Sequence, residues 1–98
     1  MMIDLATAKK ILKQSIPHFR ESYSVRRLGV FGSVARGDTK RTSDVDILVE
    51  LTQPIGLFKL IELEDRLKTL LKRNVDVVTV NALKPFIKDV VLRETVYV

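Results

Sequence analysis

A chain of 98 residues, 46% hydrophobic and 30% charged, has material for one core, so a single domain over residues 1–98 is expected. It contains no cysteine, which excludes disulfides and thiolate metal sites, and no apolar run reaches the roughly 18–20 residues of a membrane span. Seventeen Lys and Arg against twelve Asp and Glu leave a formal charge of +5, which suits an anionic partner.

The first residues alternate apolar and charged side chains at helical spacing, unlike a secretory signal, and point to the cytoplasm. Leu5, Ala8, Ile11, Leu12, Ile16 and Phe19 predict a helix from about Asp4 to Ser15, its end blurred by Pro17. The only histidine, His18, reads as a helix-end or surface residue. A β-branched stretch closed by Gly32 predicts a strand from Val25 to Phe31, and Ser33 to Arg36 can form only a brief helical turn. The polar segment Asp38 to Ser43 reads as a loop.

The next strand, Asp44 to Glu50, puts Val45, Ile47 and Val49 on one face and Asp44, Asp46 and Leu48 on the other. After a turn around Pro54, apolar residues from Leu57 to Leu71 mark a long amphipathic helix. A third strand covers Asn74 to Val80, and Pro85 suits the first turn of a last helix reaching about Glu94. The closing Thr95 to Val98 is extended, and its pairing with an edge or a partner is left open. The order predicts an α/β (α+β) sandwich with helices packed on a small mixed sheet. Its first two strands are expected antiparallel, and its second and third parallel through a right-handed crossover.

Asp44 and Asp46 stand about 6.6–6.8 Å apart on one strand face, and a parallel neighbour brings Asp76 to about 5 Å from that pair. At an effective dielectric near 20, each like-charged pair at that distance repels by roughly 3 kcal/mol. Three such ions weigh heavily against a domain's total stability of about 5–15 kcal/mol. A divalent cation reverses the sign, because hard carboxylate oxygens suit Mg²⁺ or Mn²⁺. Taken singly, each aspartate also fits a loop cap or an exposed strand end; three at strand starts beside a glycine turn favour the cation. In that turn Gly32 allows close approach of a ligand, Ser33 offers a hydroxyl, and Arg36 offers a charged fork for phosphate oxygens. No Ser-His-Asp constellation accompanies Ser33.

Gly32-Ser33, ten residues, then Asp44-Val45-Asp46 resembles the Gly-Ser…Asp-x-Asp signature of the polymerase-beta-like nucleotidyltransferase superfamily. The segments "ELEDRLKTLLKRNVDVVTVNALKP" and "RETVYV" are similar to the minimal nucleotidyltransferases, the MntA-like antitoxins. The resemblance implies the polymerase-beta-like fold, with Asp44, Asp46 and Asp76 binding two Mg²⁺ ions. It implies that Asp76 also acts on the attacking hydroxyl, and that Gly32, Ser33 and, more loosely, Arg36 hold the triphosphate of ATP. It further implies transfer of AMP to a tyrosine of a cognate HEPN-domain ribonuclease toxin, with homo- or hetero-oligomers expected. The rival readings are an antitoxin acting by contact alone, and the same chemistry on a nucleic acid or small molecule. Direct nucleic-acid binding is not expected, because neither a helix-turn-helix nor a base-stacking aromatic platform is present in the sequence.

Overall fold

The computed structural model describes residues 3–38 and 44–98. Most of the polar segment read as a loop, residues 39–43, lies outside the described residues. The elements run α1 (Leu5–Tyr23), β1 (Val25–Phe31), α2 (Gly32–Arg36), β2 (Val45–Leu51), α3 (Leu57–Leu71), β3 (Val75–Thr79), α4 (Pro85–Glu94) and β4 (Val96–Tyr97). A short 3-10 turn, Val80–Ala82, precedes α4. The four strands form one sheet in the order β3-β2-β1-β4. As expected, β1 and β2 are antiparallel and β2 and β3 parallel.

One face of the sheet is the core. Leu28 and Val30 of β1, and Val45, Ile47 and Val49 of β2, pack with Leu12, Ile16 and Phe19 of α1 and Leu63, Leu67 and Leu71 of α3. The apolar stripe of α3 is narrower than its sequence suggests. Leu63, Leu67 and Leu71 are buried, whereas Leu57, Phe58 and Ile61 are exposed. Leu48, on the opposite face, is fully buried outside that cluster.

The first helix does not stop at Ser15: it runs through Pro17 to Tyr23. Asp4 caps its start, its carboxylate accepting from the Thr7 N–H at 2.8 Å. A proline inside a helix costs about 3 kcal/mol through a lost backbone bond and a clash with the preceding turn. The turns beyond it carry Phe19 and Tyr23, both almost wholly buried, and each such side chain contributes about 1.5–3 kcal/mol. Tertiary burial therefore outweighs the local break, and His18 lies inside the helix on its exposed side. Pro17→Ala should accordingly raise stability by about 1–3 kcal/mol, the backbone gain less the added freedom of the unfolded chain. Thermal or urea melts check this, and an unchanged midpoint would contradict it.

The C-terminal segment is also resolved by packing. Gly29 pairs with Tyr97 and Val30 with Val96, antiparallel, so the tail extends the sheet of its own chain. A Cβ on Gly29 would stand 2.4 Å from Thr95 Cγ2, so a side chain there would displace the tail. Arg27 adds a hold, its guanidinium 4.0 Å from the centre of the Tyr97 ring while its Nε donates to Glu50 at 2.6 Å. Because β3 and β4 are the two edges of the sheet, the chain between them must carry α4 from one edge to the other.

Candidate active site

The face opposite the core carries the acidic residues because side chains alternate along β2: Val45, Ile47 and Val49 go to the core, and Asp46 goes the other way. The strand register sets Asp46 between two neighbours, Phe31 on β1 and Asp76 on β3. Asp44 directly precedes β2 and is exposed, as is Asp76, while Asp46 is half-buried. Burial first, then the charges of Asp76 and Asp44, push the Asp46 carboxyl above the usual carboxylate range; Arg36 opposes the push and Glu94 adds to it. Asp44 and Asp76 thus both act on Asp46, one from just before its strand and the other from across the parallel pairing.

Phe31 ends β1 and Gly32 opens α2, turning the chain directly over that carboxylate. Gly32 is buried, with φ at +72°, and an added Cβ would stand 2.0 Å from Asp46 Oδ2. Both the left-handed backbone and the contact exclude a side chain. Phe31, at the N-cap of α2, offers no side-chain oxygen to its first turn, the arrangement in which a helix start attracts an anion. Ser33 follows, half-buried, its carbonyl accepting from the Asp38 N–H at 3.1 Å.

Arg36 closes α2, and two carboxylates hold its fork. Its Nε donates to Asp38 Oδ2 at 3.2 Å and its Nη1 to Glu94 Oε1. Sequence reasoning missed Glu94, which lies 58 residues away on the last turn of α4. Its one sequence signal was an acidic residue ending a helix whose direction only the sheet order reveals.

Among the described residues, no three acidic or histidine side chains are gathered closely enough to enclose a metal ion as they stand. The donor set nevertheless fits a hard divalent cation. It consists of carboxylate oxygens, and its most enclosed member carries a like-charge penalty that a cation offsets. No helix among the described residues is long and apolar enough to cross a membrane.

Comparison with known proteins agrees with this geometry. Residues 7–98 match the nucleotidyltransferase domain model. The protein adenylyltransferase MntA of Thermococcus cleftensis is 46% identical over 97 residues, covering 99% of this chain and 98% of that protein. A solved chain assigned to the minimal nucleotidyltransferases superposes with a TM-score of 0.75 at 34% identity, covering 96% of this chain and 95% of the other. An MNT antitoxin complex with a tri-AMPylated HEPN toxin from Shewanella oneidensis shares the fold, with a TM-score of 0.67 at 19% identity, covering 92% of this chain and 70% of the other. The chain therefore belongs to the nucleotidyltransferase-domain family, among its minimal members.

Proposed function

We propose that this protein is a Mg²⁺-dependent protein adenylyltransferase of the cytoplasm that moves AMP from ATP to a tyrosine of a HEPN-type toxin, and so acts as its antitoxin. The observation that carries the reading is the contact between Gly32 and Asp46, which sets a turn without side-chain bulk against a carboxylate opposite Asp76. The family of the chain and the adenylyltransferase name of its Thermococcus relative support nucleotidyl transfer. The AMPylated HEPN toxin bound to the Shewanella antitoxin supports the choice of acceptor.

In this reading Asp44, Asp46 and Asp76 hold the divalent ions. When bound, Mg²⁺ supplies positive charge against the phosphates and acidifies the acceptor hydroxyl. The Gly32-Ser33 turn takes the triphosphate through backbone N–H groups and the Ser33 hydroxyl, with the Arg36 fork beside it. The acceptor oxygen attacks the α-phosphorus, the bond to the β-phosphate oxygen breaks, pyrophosphate leaves, and Asp76 takes the acceptor's proton.

Incubation with ATP, Mg²⁺ and a HEPN-type toxin encoded beside this protein, where its genome holds one, followed by intact-mass measurement, tests the reading. The expected result is a gain of one or more AMP units on a partner tyrosine, lost with Asp44→Asn. A partner inhibited without any mass change would instead establish neutralisation by contact.

A further inference from the structure

Arg36 is a long side chain at the end of a five-residue helix, and its side chain is 53% exposed. Left alone, such a group spreads over many rotamers, and ordering it on a phosphate costs binding energy. Here it is already ordered. Asp38 and Glu94 engage Nε and Nη1, fixing the plane of the fork, while Nη2 takes no partner among the described residues. Of the two acceptors, Glu94 is the more enclosed, at 21% exposed against 60% for Asp38. It also comes from a separate element, the last turn of α4, which runs directly into β4 and its pairing with β1. Glu94 is therefore anchored to the sheet.

From this geometry we propose that Glu94 is a positioning residue for nucleotide binding: anchored through α4 and β4, it presents the Arg36 fork to the polyphosphate beside the Gly32-Ser33 turn. The proposal rests on the nucleotidyl-transfer reading, with Arg36 touching phosphate and Glu94 acting only through it. A carboxylate near a polyphosphate also repels it. Glu94 also adds negative charge at Asp46, so the binding measurement reads the gain from ordering Arg36 less that repulsion.

The test is equilibrium binding of a non-hydrolysable ATP analogue with Mg²⁺ to the full chain, by calorimetry, in a double-mutant cycle. Glu94→Ala should weaken binding about 5–10-fold, the cost of ordering one long side chain on the ligand. Glu94→Gln, whose amide oxygen can still accept from Arg36, should recover most of that loss. In an Arg36→Ala background, Glu94→Ala should have no further effect, a non-additivity that a purely structural role for α4 would not produce. Melting curves confirm that each variant is folded. Equal effects of Glu94→Ala with and without Arg36, or tighter binding in Glu94→Ala, would overturn the assignment of Glu94 alone. Absence of analogue uptake by the wild type would overturn the nucleotidyl-transfer reading, and this proposal with it.

Discussion

Replacing Asp46 by asparagine should give a protein that melts higher than the wild type yet transfers no nucleotide. The carboxyl is held above its usual range, first by burial and then by Asp76 and Asp44, so its ionised form is a cost to the metal-free fold at neutral pH. An amide of the same shape removes that cost. A group whose folded-state pKa exceeds its unfolded value destabilises the fold above the folded pKa. The penalty is relieved by proton uptake as pH falls through that value, and is gone below the unfolded one. The advantage of Asp46→Asn should therefore be full at pH 7 and shrink as pH falls through the carboxylate range. Because solvent screens a half-buried group, the expected gain is about 2–5 °C. With Asp46 in its proposed role, transfer should fall by about 10³-fold or more, the weight of losing a charge placed to stabilise the phosphoryl centre. Mg²⁺ should raise the wild-type midpoint by binding only the folded form, and should leave Asp46→Asn nearly unmoved. Melting curves with and without Mg²⁺ across pH, beside a transfer assay, check all parts. A variant that melts lower at pH 7 would contradict the electrostatic account, and one that still transfers AMP would contradict the assignment of Asp46.

The placement of Asp46 opposite Asp76 was legible from the chain because it depends on strand pairing, and strand pairing leaves a period-two trace. Val45, Ile47 and Val49 determine which way Asp46 points, and the helical crossover of α3 makes β3 the parallel neighbour that brings Asp76 opposite. Features that depend on competition between local and tertiary terms were not legible. The rule that proline ends a helix is local, and Phe19 and Tyr23 overrule it only once there is a core to enter. A two-residue strand such as β4 carries no periodicity, and its place beside β1 rests on the missing side chain of Gly29 and the Arg27–Tyr97 stack. Glu94 escaped for a related reason. Nothing between Arg36 and Glu94 in the sequence says that α4 ends beside α2. That follows only from the sheet order, which makes the chain cross from one edge to the other.

Gly32→Ala should damage both stability and transfer, through two causes that a neighbouring glycine separates. With φ at +72°, any other residue pays about 1–2 kcal/mol for the left-handed backbone. In addition, the new methyl group would lie 2.0 Å from Asp46 Oδ2, a distance no side chain tolerates. Either the turn lifts away or the carboxylate swings aside, and both displace the group proposed to hold the metal. A misplacement of about 1 Å at such a centre costs roughly 10²-fold in rate. Gly37, at the other end of the same short helix, has φ at +79° and nothing within 4 Å of an added Cβ, so Gly37→Ala carries the backbone strain without the contact. Gly32→Ala should therefore lower stability by more than Gly37→Ala, and most of the excess should vanish when Asp46→Ala removes the obstructing carboxylate and leaves only its Cβ, 3.3 Å from the added methyl. Denaturant melts of these single and double variants measure the excess directly. An excess that persists in full without the Asp46 carboxylate would mean that Gly32 serves the turn alone, and that its approach to the carboxylate is incidental to the site.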